Sequence, residues 1–250
     1  MDERPPSLET ALMDLTLIIP VHDEEKILKR NAMALHDFLT SCPLLETFEI
    51  IFSCNGCTDG SEEICRELSS RYPSIRHLSI TGRGLGNAIR AGVEASRSEA
   101  MMFYAIDLPF GLSVIAESIK ASLDNGGAVV IGSKGHPGSS VKRGLMRSLF
   151  SSSISALNNL FFALAVKDTQ GSILFYKEPF RKYGPMMDNP GAFFQAQILI
   201  YSRIAGLTLV EIPVALQEVR KTRFRLAGDG IRYISAACRE KVKLARSGIN

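Results

Sequence analysis

Between residues 15 and 132, short apolar runs alternate with stretches of helical periodicity, and this alternation constrains the fold more than any other feature of the chain. The runs are Leu15–Ile19 (LTLII, closed by Pro20), Glu49–Ser53 (EIIFS), Ile75–Ile80, Met101–Ile106 and Ala128–Gly132 (AVVIG). Each is short and bounded by polar or turn residues, and Leu15–Ile19 is a continuous apolar run, as strands buried on both faces are. The intervening segments read as helices. Asp23–Thr40 spaces Ile27, Leu28, Leu35, Phe38 and Leu39 on one face. A second helix starts at Thr58 or Asp59 as its cap, with Glu62 and Glu63 in the first turn, and runs to about Tyr72. Gly84–Ser96 and Leu112–Leu123 complete the set. Strands alternating with helices imply a mainly parallel α/β sheet with helices on both faces, and such sheets bind ligands at the carboxyl ends of their strands.

The rest of the chain is read in the same way. Gly135–Ser140 is a Gly/Pro/Ser loop, and a long helical stretch follows from about Val141 to Ala165. Ser172–Tyr176 is a strand, Ala192–Ala205 a helix and Leu207–Ile212 a strand ended by Pro213. Residues 1–13 form a polar, Pro-rich flexible arm, residues 14–220 one domain, and residues 221–250 a basic tail with an amphipathic helix over Gly230–Ala245.

With 46% apolar residues in 250, the chain supports a sizeable core and is not a disordered one. The net charge of +3 is unevenly spread: Arg220–Arg246 carries nine basic residues against Asp229 and Glu240, leaving the remainder acidic. A basic block of this kind suits phosphate groups or an anionic lipid surface, or is a solvated helix face. Five cysteines, with no second CxxC beside Cys54–Cys57 and no His at zinc spacing, point to a reduced cytosolic compartment rather than to a metal site. No apolar run reaches the ~18 residues of a membrane span. The nearest, Ile154–Val166, is interrupted by Asn158 and Asn159 and reads as a core or surface-docking helix. No nucleic acid is expected as a partner.

The informative residues follow the strands. The tips read Pro20-Val21-His22-Asp23-Glu24-Glu25, Cys54-Asn55-Gly56-Cys57-Thr58-Asp59-Gly60-Ser61, Gly82-Arg83-Gly84-Leu85-Gly86-Asn87 and Ala105-Ile106-Asp107-Leu108-Pro109. Each sets backbone N–H groups or short polar side chains beside a helix N-terminus, where a nucleotide and its phosphates bind. The third tip is neither a dinucleotide fingerprint, because Asn87 stands where Gly is needed, nor a P-loop, because no Gly-Lys-Ser/Thr follows.

In this order the tips resemble family 2 glycosyltransferases, and within them the polyprenyl- and dolichyl-phosphate sugar transferases. The family pattern IPxYNEE, DDGSTDGT, GKGxAxxxG, DxD is met here by IIPVHDEE, CNGCTDGS, GRGLGNAIRAG and AIDLP. Val166–Gly171 resembles the family's VxDTQxG segment, Gly191–Ile198 its acidic helix, and Val210–Val214 its VEVPV strand. The resemblance implies a GT-A type, Rossmann-like nucleotide-binding sheet. It also implies an inverting hexosyltransferase peripheral at the cytoplasmic face of a membrane, with room for a membrane-protein partner. The donor is a nucleotide-diphosphate sugar and the acceptor a polyprenyl-phosphate lipid. By the same resemblance Pro20, His22 and Glu24 lie near ribose and base, Asn55 at the base-reading position, and Arg83 and Gly84 near the diphosphate. Asp107 is the last carboxylate of DxD. Lys134, Arg143 and Arg147 take the acceptor phosphate, and Asp168, Gln170 and Gln197 supply sugar or loop contacts.

The departures from the pattern carry their own chemistry. The first DxD carboxylate is replaced by Ala105, and the position two beyond Asp107 is Pro109. Mg2+ or Mn2+ would meet one protein carboxylate, Asp107, where such ions want several hard oxygens. The helix that supplies an acidic base in the family carries Gln195 and Gln197, whose amides take no proton at neutral pH. Two readings follow. In one, an acceptor that is already an ionised phosphate needs no base, and the cations replace the metal at the leaving diphosphate. In the other, the chain is a non-catalytic nucleotide-sugar- or partner-binding paralogue of the same fold.

Overall fold

The computed structural model describes residues 12–142, 145–217 and 226–249. Seven strands make the main sheet: β1 (Met13–Val21), β2 (Leu45–Asn55), β3 (Ile75–Ile80), β4 (Ala100–Phe103), β5 (Val129–Ser133), β7 (Ser172–Tyr176) and β8 (Leu209–Pro213), in the order β3-β2-β1-β4-β7-β5-β8. All neighbours run parallel except around β7, which is antiparallel to both β4 and β5. A second, two-stranded sheet pairs β6 (Ser140–Lys142) with β9 (Ala215–Gln217).

Strand alternation sends side chains to two cores. Leu15, Leu17, Ile19 and Val21 of β1 enter the first, with Leu28 and Leu35 of α1 (Glu25–Thr40), Cys65 and Leu68 of α2 (Ser61–Arg71), and Ile115 and Ile119 of α4 (Ser113–Asp124). Ile18 turns the other way, into a second core with Ile89 and Val93 of α3 (Leu85–Ala95). That core also takes Ile154 of α5 (Leu145–Phe162), Phe193 to Tyr201 of α7 (Phe193–Ile204), and Tyr233, Ala237 and Leu244 of α8 (Leu226–Arg246). A short α6 (Glu178–Tyr183) leads from β7 toward α7.

The helix expected over 141–165 is shorter at both ends. β6 takes 140–142, and the chain turns out of α5 with left-handed backbone at Ala163 (φ 50°) and Ala165 (φ 57°). No apolar periodicity marks a three-residue strand, so β6 and β9 had no signal to read. The tail helix is longer than expected and packs on α5 and α7. Among the described residues no helix is long and apolar enough to cross a membrane.

Candidate functional site

The carboxyl ends of β1, β2, β3 and β4 lie along one edge of the sheet, in the spatial order β3-β2-β1-β4. Pro20, paired in register with Ser53, is the last residue but one of β1. His22 follows that strand, and its Nδ1 lies 3.1 Å from the Asn55 carbonyl oxygen. Asp23 adopts left-handed backbone (φ 53°), which Asp tolerates, and accepts the Thr58 N–H at 2.7 Å. That backbone bond is the largest cause holding its carboxyl below the usual range, although burial works in the opposite direction. The half-buried Glu24 donates its N–H to Ser61 Oγ at 2.8 Å. Asp59 accepts both the Glu25 N–H (3.1 Å) and the Ser61 N–H (3.0 Å), so one carboxylate serves the first turns of α1 and α2. The expected cap therefore acts from one residue before the helix boundary, where Gly60 stands.

Asn55 is 5% exposed. Its Nδ2 donates to the carbonyl oxygens of Val21 (2.9 Å) and Ser53 (3.4 Å), and its Oδ1 accepts the Gly84 N–H (3.3 Å). The side chain assigned to base reading thus ties the tips of β1 and β2 to the start of α3, with its amide engaged inside the protein. Gly84 gives its own N–H to that bond. The next N–H groups of α3, on Gly86 and Asn87, donate to Pro190 O at 2.9 and 3.4 Å. The first turn of α3, expected to face a diphosphate, is capped by a carbonyl. The approach is close: a Cβ at Gly86 would stand 2.0 Å from Asn189 O, and one at Gly84 2.3 Å from Pro190 O. The role of Asn189–Gly191 was not legible, because the contact joins segments a hundred residues apart. Arg83 is exposed and borders a cleft of about 650 Å3 between residues 189–193 and α8.

After β4 the chain makes a tight turn, with Leu108 N–H on Ala105 O (3.1 Å) and Leu108 in left-handed backbone (φ 50°). Asn31 Nδ2 holds the Ile106 carbonyl at 2.8 Å, and the buried Tyr104 hydroxyl donates to Gly111 O at 2.6 Å. The turn is thereby pinned from both sides and presents Asp107 exposed beside the β1 tip. As a metal site the donor set is thin. Asp107 is the one carboxylate from 105 to 109, and among the described residues no three His, Cys, Asp or Glu side chains gather to hold an ion. These residues do not form a cage for a resident Mg2+ or Mn2+.

Beyond β5, Lys134 and Asp168 form an ion pair at 2.6 Å, with side chains 11% and 2% exposed. Lys134 Nζ also donates to Gln170 O (2.8 Å), while Asp168 accepts the N–H groups of Lys134 and Gln170, both at 2.9 Å. Glu211 of β8 takes the N–H groups of Lys167 and Asp168 at 2.9 and 3.1 Å, which gives the acid of the VEVPV-like strand a structural task. The lysine expected at an acceptor phosphate is thus already neutralised within the loop. Arg143 lies outside the described residues, as does the side chain of Arg147.

Gln197 is fully buried on α7. Its Oε1 accepts the Asn189 N–H (3.0 Å), and its Nε2 donates to Glu240 Oε2 (2.8 Å) and Met186 O (3.2 Å). Glu240, 3% exposed on α8, also accepts the Tyr201 hydroxyl and pairs with Lys243 at 3.0 Å, which reaches Asp188 at 2.8 Å. Burial, then the bond to Glu240, pushes the Tyr201 hydroxyl well above its ordinary range. Gln197, expected to make sugar or loop contacts, is a brace between α7, the 186–189 loop and α8. The sequence signal for Glu240 was its place on the apolar stripe of a basic helix.

A mainly parallel sheet whose strand tips are bonded into one rim, with an acidic turn at the next strand, defines a GT-A type nucleotide-binding domain. The chain belongs to glycosyl transferase family 2, whose model matches residues 16–195. It is similar to glycosyltransferase AglD of Haloferax volcanii, 24% identical over 91% of this chain and 37% of AglD. It is also similar to the dolichyl-phosphate beta-glucosyltransferase of Saccharomyces cerevisiae, 27% identical over 74% of this chain and 61% of that protein. A third relative, dolichyl-phosphate beta-glucosyltransferase ALG5A of Trichomonas vaginalis, is 26% identical over 90% of this chain and 72% of its own length. The chain therefore spans little more than a third of AglD and under two thirds of the yeast protein. Among solved structures, glucosyl-3-phosphoglycerate synthase of Mycobacterium tuberculosis in complex with UDP shares the fold, with a TM-score of 0.62 and 17% identity over 95% of this chain and 81% of that one.

Proposed function

We propose that this chain transfers a hexose from a nucleotide-diphosphate sugar to the phosphate of a polyprenyl-type lipid, with inversion, as a peripheral protein at the cytoplasmic face of a membrane. The observation that carries the reading is the rim itself: three strand tips locked together through Asn55, with exposed Arg83 at one end and exposed Asp107 at the other. Relatives named as dolichyl-phosphate beta-glucosyltransferases support the acceptor class.

The chemistry follows from what the site holds. A phosphate monoester is largely ionised at pH 7, its second pKa being about 6. One of its oxygens attacks the anomeric carbon, the glycosidic bond to the diphosphate breaks, and nucleoside diphosphate leaves without any proton being taken. A buried Gln197 in place of an acidic base is consistent with that demand. Arg83 meets the leaving diphosphate as a fixed cation, and Asp107 accepts hydrogen bonds from sugar hydroxyls to orient the ring. Pro20, His22 and Glu24 border the nucleoside, and Asn55 fixes their spacing. Lys134, Asp168 and Gln170 hold the loop after β5 in shape, next to Phe110 of the turn that follows β4.

The test is transfer from UDP- and GDP-hexoses to a short polyprenyl phosphate in detergent. Turnover is expected, and Asp107→Ala should lower kcat/KM by about 100-fold or more. No transfer and no hydrolysis with any of these donors would overturn the proposal.

A further inference from the structure

The strongest unassigned feature is the outer surface of α8. Gly230, Tyr233, Ala236, Ala237, Glu240 and Leu244 recur at three- and four-residue spacing and are buried against the domain. A surface helix ordinarily turns a polar face outward. Here the opposite face exposes Ile231 (70%), Ile234 (46%) and Val242 (49%), at i, i+3 and i+11. Arg232, Arg239, Lys241 and Arg246 surround them and are also exposed. The two acids of the helix do not offset this charge at the surface as a whole: Asp229 pairs with Arg232 at 3.3 Å, and Glu240 is turned inward to Gln197 and Tyr201.

α5 packs on α8 and also exposes apolar side chains. It has no charged residue from Ser148 to Phe162, and it exposes Leu149 (64%) and Leu160 (79%). Five of the six large hydrophobic side chains exposed among the described residues lie on these two helices, so the apolar surface is concentrated rather than scattered.

We infer that α8, with α5 beside it, seats the protein on an anionic lipid bilayer, Ile231, Ile234 and Val242 entering the headgroup boundary while the flanking cations meet acidic headgroups. Charge decides the occupant. Among the described residues of α8 the exposed ionic groups around the stripe are all cationic, which complements a negative leaflet, and an apolar stripe between cations is the pattern of helices that lie in the interface. The inference deepens the reading of a lipid-phosphate acceptor and rests on it for its purpose, since such an acceptor presents its phosphate at the same depth.

The experiment is flotation of the full chain with vesicles of phosphatidylcholine alone and with about 30% phosphatidylserine, without donor or acceptor. Binding to the acidic vesicles should be at least about 10-fold stronger than to neutral ones and should weaken in high salt. Lys241→Glu with Arg246→Glu should reduce it about 10-fold or more, and Ile234→Ser with Val242→Ser should reduce it on both vesicle types. These side chains are exposed, and far-UV circular dichroism checks that the variants stay folded. Equal partition into the two vesicle types, no binding, binding unchanged in both pairs of variants, or self-association through α8 in place of vesicle binding would overturn the inference. Transfer to the detergent-solubilised acceptor reads the proposed function separately, because it does not depend on vesicle binding and should persist in both pairs of variants.

Discussion

Asp168 shows how a single residue changes meaning between sequence and structure. As part of a VxDTQxG-like segment it is a candidate for a sugar or a loop contact. In the fold it is a buried carboxylate that satisfies two N–H groups and holds Lys134 at 2.6 Å. Removing one partner of such a pair leaves an uncompensated charge, at a cost of about 3–5 kcal/mol. Lys134→Met should therefore lower unfolding stability by about that amount in a denaturant titration. A loss below ~1 kcal/mol would mean that Lys134 is not committed to Asp168 and is available to an acceptor phosphate. Gln197 gives a second prediction. A glutamate at this fully buried position would stand beside Glu240, where the amide now donates at 2.8 Å. Two carboxylates sharing a buried site cannot both ionise. Gln197→Glu should therefore cost roughly 2–4 kcal/mol of stability and leave transfer no faster. A rise in transfer, with stability kept, would show that residue 197 faces the acceptor.

At the scale of elements, the seven strands of the main sheet, α1 to α4, α7 and the tail helix were legible from their hydrophobic runs and periodicity. What escaped were the joints. Nothing local announces that Asn189 and Pro190 close on α3, since the partners are far apart in the chain. Gly84 was read as lying near the diphosphate; in the fold Gly84 and Gly86 also admit the carbonyls of Pro190 and Asn189. The same residue type serves both purposes, so the sequence alone could not separate them. The contact makes a sharp prediction. Gly86→Ala places a methyl 2.0 Å from Asn189 O and 2.8 Å from Phe194 Cβ, so backbone must move. A loss of about 1–3 kcal/mol and weaker donor binding are expected from thermal unfolding and nucleotide titration. A variant as stable as the parent would show that the 189–191 segment does not press on α3. The tail helix makes the complementary point. Its basic charge and its apolar stripe were plain in the sequence, but the partners of Glu240 and Lys243, Gln197 and Asp188, were not.

For the molecule as a whole, the order of motifs along the chain foretold both the fold and the family, because parallel sheets put their chemistry after their strands. The site was legible as a place more than as a set of roles. Arg83 and Asp107 are exposed along the rim, and Asn55, Gly84, Lys134, Asp168 and Gln197 are engaged in holding that place together. The central claim is a donor site that meets its diphosphate with a cation of the protein, Arg83, and has no cage for a resident ion among the described residues. Titration with UDP, GDP and their hexose conjugates, first in magnesium and then in excess chelator, tests it most directly. The account predicts that binding of one nucleotide series persists in chelator, with Kd changed by less than about 3-fold, under 1 kcal/mol. Binding that vanishes on chelation and returns with Mg2+ or Mn2+ would contradict it, and would mean that Asp107 and the diphosphate suffice to hold a metal.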